Sequence, residues 1–323
     1  MSQSNNPKLV TVFGGSGFLG RHVVRVLAAK GYRVRAVCRR PDLAGHLQPL
    51  GTVGQVGAVQ ANLRHRWSID RAVAGSDVVV NLVGLLAESG KQTFDAVQAT
   101  GAGWIADAAA KAGATMVHVS AIGADENSEA DYARTKAEGE KLVKAAAPDA
   151  IILRPSIVFG PEDDFFNRFA SMARIAPALP LIGGGSTKFQ PVYVGDVAHA
   201  VARAADGKLP GGSIWELGGS EVLTFRECME RMLAVIGRSR LFVNLPFGLA
   251  KGIGSFAQYL PGKPLTPGQV DLLRVDNVVS SEAENENRTL QGMGITPTLL
   301  GAVLPQYMVQ YKKHGQFEAK RGL

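Results

Sequence analysis

Residues 10–20 read VTVFGGSGFLG. From Lys8 to Phe13 the chain is a short apolar, β-branched run, the pattern of a buried strand, and it leads into a glycine-dense turn that opens a helix. Glycines at Gly14, Gly17 and Gly20 let the backbone turn tightly, bring amide N–H groups close to a pyrophosphate and let the helix pack on the strand. The helix N-terminus adds positive potential. Gly15, Ser16, Phe18 and Leu19 complete the turn and are expected to border the same ligand. Gly-rich turns also close ligand-free connections, so the context decides: a helix from Phe18 to about Lys30, then Gly31-Tyr32 and a second strand, Arg33 to Cys38, complete a βαβ unit. The expected ligand is a dinucleotide.

Short apolar runs recur near Gln55, Asp77, Thr115 and Ala150, with helical patterns between them. This alternation predicts an α/β fold, a Rossmann-like doubly wound parallel sheet over residues 1–155. One of those helices, Thr93 to Lys111, carries Ala99, Ala102, Ala106 and Ala109 for close packing on the sheet, and Gly113 suits its exit. Past Arg154, prolines and Gly183-Gly184-Gly185 break the chain into loops, and residues 156–323 are expected to be mixed. Within them, 190–205 (QPVYVGDVAHAVARAA) predicts a last strand returning to the sheet, then a helix capped by Asp196. The remainder is expected to form a smaller C-terminal α/β lobe for substrate or partner.

The 323 residues are 46% hydrophobic and 20% charged, an ordinary composition for a globular chain with a large core. There is neither a charged n-region with an apolar h-region nor an apolar run of roughly 20 residues, so a cytoplasmic protein is expected. Cys38 and Cys228 have no metal spacing and are expected to be reduced; His22, His46, His65, His118, His199 and His314 are scattered, and no metal is expected. The net charge of +7 favours anionic partners, but the basic residues form no long aromatic-interleaved blocks, which argues against nucleic acid. Arg64-His65-Arg66, Lys312-Lys313 and Lys320-Arg321 read as solvated surface.

The end of the second strand bears on the cofactor. An NAD-preferring site places an acid about 20 residues past the glycines, where it bonds the ribose 2′-OH and repels a 2′-phosphate. Here the strand ends Val37-Cys38-Arg39-Arg40, with no acid before Asp42. Arg39, with Arg40 or Arg21, can pair with a phosphate, which predicts NADP(H) over NAD(H).

Ser120 ends a predicted strand, and Tyr132 and Lys136 stand at i and i+4 in YARTK on the next helix. That spacing puts phenol and ammonium on one face, where the cation is expected to lower the phenol pKa for proton transfer.

With GGSGFLG at 14, VVVNLVG at 78, HVSAIG at 118, YARTK at 132, LRPSIVFGPED at 153 and QPVYVGDVA at 190, the chain resembles the short-chain dehydrogenase/reductase superfamily, in its extended or atypical branch. The resemblance implies that Tyr132 exchanges a proton with the substrate oxygen. It implies too that Lys136 tunes the phenol and holds the nicotinamide ribose, and that Ser120 polarises the carbonyl. It further implies cofactor contacts from Asn62 beside the adenine and from Leu63, Val83, Gly84, Pro155, Ser156 and Ile157. The chain departs from the family pattern in two ways: Gln98 stands where many members have asparagine, and Ala121-Ile122 stand where many have a serine run.

More narrowly, 148–172 and 189–201 resemble the NADPH-binding accessory subunits of respiratory complex I (NADH:ubiquinone oxidoreductase) and their bacterial relatives. Two roles are implied: reduction of a small hydrophobic carbonyl or quinone-pathway compound, or a non-catalytic module docking on a membrane-bound respiratory complex. Peripheral contact with the inner face of the membrane goes with the second. In LFVNLPFGLAKGIGSFAQYL, 241–260, Leu249, Ile253, Phe256 and Leu260 share a helical face that predicts either packing on the second lobe or docking, with Lys251 and Lys263 placed to meet anionic headgroups. The sequence sets no oligomeric state.

Overall fold

Strand β1 (Leu9–Phe13) lies inside a seven-stranded sheet, flanked by β2 (Arg33–Cys38) and β4 (Val78–Asn81), and its residues alternate between two buried faces. The computed structural model describes residues 7–259, 265–313 and 315, so Leu260, Lys263, His314 and Lys320-Arg321 lie outside the described residues. Beyond β2 comes β3 (Val56–Gln60); beyond β4 come β5 (Thr115–Val119), β6 (Ile151–Pro155) and the edge strand Ile214–Leu217, every pair parallel.

Period-two alternation divides the core. Val10, Val12, Val34, Val78, Val80, Val117 and Val119 pack on one face against helices α1 (Phe18–Ala29) and α6 (Val194–Ala205). Phe13, Val37, Val79 and Met116 pack on the other, against α2 (Arg66–Val73), α3 (Gly101–Lys111) and α4 (Asp131–Ala146). Order reverses between β1 and β4, which opens a crevice at their carboxyl ends.

The expected helix 93–111 is not uniform. Asp95–Thr100 forms a π-helical turn that passes into α3, and Gly113 closes the exit at φ +65°. The segment 190–205 returns to the sheet by its helix, not by a strand. Val192–Tyr193 pairs with Val158–Phe159 in a separate two-stranded ladder, and Ile214–Leu217 supplies the seventh strand against β6. Nor does Asp196 cap α6: its carboxylate accepts from Thr298 N (2.7 Å) and Oγ1 (2.9 Å), tying down a distant segment.

A second core joins Phe159, Phe166, Phe189 and Phe225 with residues of α5 (Phe165–Ile175), α7 (Phe225–Ile236) and the helix Leu300–Tyr307. Helix α7 starts at a reciprocal Thr224–Glu227 capping box and stops at Gly237, φ +64°. The hydrophobic stretch from 241 divides into a strand, Leu241–Leu245, paired with Ala178–Ile182, and helix α8 (Phe247–Ala257). Ala250, Gly254 and Ala257 form the buried side of α8, while Leu249, Ile253 and Phe256 face outward, 59%, 44% and 81% exposed. Lys251 is ion-paired to Asp271 at 2.9 Å. Among the described residues, no helix is long and apolar enough to cross a membrane.

Candidate functional site

The turn after β1 forms because two positions exclude side chains. Gly14 has φ +80°, and a Cβ on Gly20 would lie 2.1 Å from Gly14 O. Gly17 is the N-cap of α1 without a side-chain cap, and no acid stands in the first turn, so the amides there are free to meet an anion. Gly14, Ser16, Gly17, Phe18, Leu19 and Gly20 line one wall of a cavity of about 350 Å³. Cys38 and Arg39 from the end of β2, Asn62, Leu63 and Arg64 after β3, and Val83 and Gly84 after β4 line the rest. Gly15 departs from the expected list: a Cβ there would lie 2.9 Å from Ala36 Cβ, so it serves packing on β2 and does not border the cavity. A bare helix terminus at one wall and arginines at the other fit a dinucleotide.

The expected basic cluster separates. Arg40 is held by Asp42 through three hydrogen bonds of 2.6–3.2 Å, and Arg21 is ion-paired to Glu162, so these two guanidiniums are spent within the protein. Arg39 has no acid partner among the described residues and lines the cavity. Asn62 accepts the Arg64 amide through Oδ1 (3.1 Å), which leaves its NH₂ donors for a ligand.

The proton-transfer group lies on the α3/α4 side of the sheet. Alternation along β4 and β5 aims Asn81, His118 and Ser120 at that face. Asn81 Nδ2 and His118 Nδ1 are 3.1 Å apart, and His118 Nε2, Ser120 Oγ and both amide atoms of Gln98 are buried without a protein partner. Burial, with the charge of Lys136, pushes the His118 imidazole down to about 3, so it is neutral. Lys136 is buried, donates to Val119 O at 3.3 Å, and is lowered to about 8, mainly by desolvation. A Cβ on Gly84 would sit 3.5 Å from its Nζ, so the ammonium reaches the cavity wall.

Tyr132 stands one turn earlier, partly exposed, with Phe94 edge-on at 6.1 Å and its hydroxyl unpartnered among the described residues. The expected lowering of its phenol is reversed. Burial pushes it up to about 12, because the low-dielectric surroundings penalise phenolate.

Pro155, Ser156 and Ile157, expected at the cofactor, do not border the cavity. Asn277 holds this stretch instead: its Oδ1 accepts from Ser156 Oγ (2.7 Å) and Ile157 N (3.1 Å), and its Nδ2 donates to Ile122 O (2.9 Å). Sequence reasoning missed Asn277, His118 and Arg64 as site residues. The Asn277 contact spans 121 residues and leaves no local signal. His118 and Arg64 were in view, one as a scattered histidine and the other in a charge run. Among the described residues no cluster of His, Cys, Asp or Glu could hold a metal ion.

Residues 10–218 match the NAD dependent epimerase/dehydratase family. The mitochondrial NADH dehydrogenase (ubiquinone) 1 alpha subcomplex subunit 9 of Arabidopsis thaliana is 35% identical over 95% of this chain and 79% of its own. A ceramide reductase of Caulobacter vibrioides is 32% identical over 74% of each chain. In fold, the UDP-glucose 4-epimerase of Thermus thermophilus, solved with NAD, superposes with a TM-score of 0.69 at 22% identity, over 94% of this chain and 98% of the other.

Proposed function

Because this chain belongs to the NAD dependent epimerase/dehydratase family, we propose that it is an NADP(H)-binding reductase of a small hydrophobic carbonyl, quinone-like or isoprenoid-like. The observation that carries this reading is Lys136: it stands one turn after Tyr132 on the same helix, and its buried ammonium lies 3.5 Å from where a Cβ on Gly84, in the cavity wall, would sit, so one group can serve both binding and proton transfer. Bound, the nicotinamide would supply hydride to the carbonyl carbon. Tyr132 gives its proton to the carbonyl oxygen, and a phenol raised to about 12 is in the protonated form that reduction requires at neutral pH. Lys136, at about 8, remains mostly cationic at pH 7 and stabilises the phenolate left behind. Ser120 offers its unpartnered hydroxyl to the same oxygen. Arg39, free where an acid would select NAD(H), supports NADP(H). The test is to release and identify the nucleotide carried by the purified protein, then follow NADPH oxidation with quinone analogues and hydrophobic aldehydes and ketones. Turnover that depends on Tyr132 supports the reading; bound NADPH inert to every acceptor refutes it.

A second reading is favoured by the outward stripe Leu249, Ile253 and Phe256: a module that holds NADP(H) and docks on a membrane-bound respiratory complex, as the name of the Arabidopsis relative suggests. Peripheral contact with anionic lipid belongs to this reading, with the apolar residues and not Lys251 making it. Co-sedimentation with anionic liposomes, lost in Phe256→Ser without loss of fold, would support it, and a wild type that stays in the supernatant at low salt would count against lipid.

A further inference from the structure

We propose that Arg64 is a second determinant of specificity for the cofactor's 2′-phosphate, meeting it together with Arg39. This rests on the NADP(H) reading above and names a residue for it that a search after the second strand does not reach.

Strands β2 and β3 pair in parallel with Cys38 opposite Gln60, so the chain leaves both at the same end of the sheet. Arg39 exits one strand, and Arg64 lies in the turn that follows the other. Both line the same cavity. The turn is held on three sides: Asn62 Oδ1 accepts Arg64 N (3.1 Å), Asn62 O accepts His65 N (2.9 Å), and Ser68 Oγ accepts Asn62 N (3.1 Å) while donating to His65 O (2.7 Å). Arg64 therefore stands on a fixed base, which lowers the entropy lost when its head is ordered by a ligand.

Its neighbours are spoken for. Arg66 binds Asp70 and Asp107, Arg40 binds Asp42, Arg21 binds Glu162, and Arg71 lies over the Trp67 ring. Arg64 has no acid partner among the described residues, and its Nε is sealed from solvent with nothing to accept its hydrogen. A buried guanidinium N–H without an acceptor is a cost that a bound anion removes. Two guanidiniums without acid partners among the described residues line one cavity, and a neutral ribose hydroxyl does nothing to balance their charge. A phosphate does: its three oxygens can take a bidentate pair from each fork.

The test is equilibrium binding by nicotinamide fluorescence, with 2′,5′-ADP and 5′-AMP as competitors, on wild type, Arg39→Ala, Arg64→Ala and Arg64→Lys. Thermal melts of the nucleotide-free proteins check that each variant folds. Arg64→Ala should weaken NADPH and 2′,5′-ADP by roughly tenfold or more while leaving NADH and 5′-AMP within about twofold, and Arg64→Lys should recover only part of the loss. A folded Arg64→Ala that binds NADPH like wild type overturns the proposal. So does an equal loss of NADH and 5′-AMP, which would mean that Arg64 stacks on the adenine. If the wild type itself binds NADH as tightly as NADPH, the NADP(H) reading has failed, and this inference falls with it.

Discussion

Replacing Gly20 with alanine places a Cβ 2.1 Å from Gly14 O, 2.7 Å from Gly15 C and 2.8 Å from Gly15 Cα, all backbone atoms of the nucleotide turn. Ordinary contact lies beyond 3.4 Å, so the turn and the first turn of α1 must separate by more than 1 Å. Overpacking of that kind costs up to about 3 kcal/mol, and the better helix propensity of alanine returns about 1, leaving a net loss of roughly 2 kcal/mol. For a chain of this size that is a fall of roughly 3–4 °C in melting temperature. Gly17→Ala is the matched control. Its backbone (φ −78°, ψ −176°) suits alanine and its nearest neighbour would be Gly14 O at 3.4 Å, so the empty protein should lose no more than about 1 kcal/mol. The added methyl occupies cavity space at the helix terminus, and NADPH affinity should drop by at least about tenfold. The two effects are read by melting the nucleotide-free proteins and titrating NADPH. Gly20→Ala melting with wild type, or Gly17→Ala binding NADPH normally, would refute the reasoning.

Tyr132→Phe should abolish carbonyl reduction and leave NADPH affinity nearly unchanged, whereas Lys136→Ala should reduce both; steady-state kinetics and titration separate them. Lys136→Met should melt higher than wild type at pH 7. The folded lysine titrates near 8 and the unfolded one near 10.5, so the cost of the buried charge is full below pH 8 and fades as pH rises toward 10.5. The gap between the two melting curves should close over that interval. Glu140→Ala removes the carboxylate that Arg154 holds at 2.6 and 2.8 Å, with Glu140 only 6% exposed, and should cost roughly 3 kcal/mol in denaturant unfolding.

Where a signal was local, the sequence carried it. Arg33–Cys38 is a strand over the residues expected, and the glycine turn is built as its spacing required. The last strand was misread because Val192–Tyr193 has the apolar, aromatic look of one, while Ile214–Leu217 carries Glu216, whose carboxylate is used by Ser280 N and lies 3.7 Å from Arg154. The orientation of α8 was hidden by side-chain size. Gly254 lies so near Thr266 and Pro267 that a Cβ would meet their backbone at 3.1 Å, so the small residues turn inward and the large ones outward. Tyr132 and Lys136 were legible as a pair by spacing alone. The sign of the tyrosine shift was not, since it depends on burial that only the assembled fold creates. Arg64 lacks the carboxylate partners that its neighbour Arg66 finds in Asp70 and Asp107, and pairing across the fold cannot be read from a run of charges.

The Asn277 latch also has a consequence in time. Ser156 is translated 121 residues before the side chain that holds it, an interval of roughly 6–24 s at ordinary rates of synthesis. Throughout it the loops that follow β5 and β6 lack their fastening, whereas the residues that line the nucleotide cavity, all before residue 100, have already been made. The sheet's order can therefore be set by strand pairing early in synthesis, while the fastening of these two loops to each other comes only after nearly nine-tenths of the chain has been made.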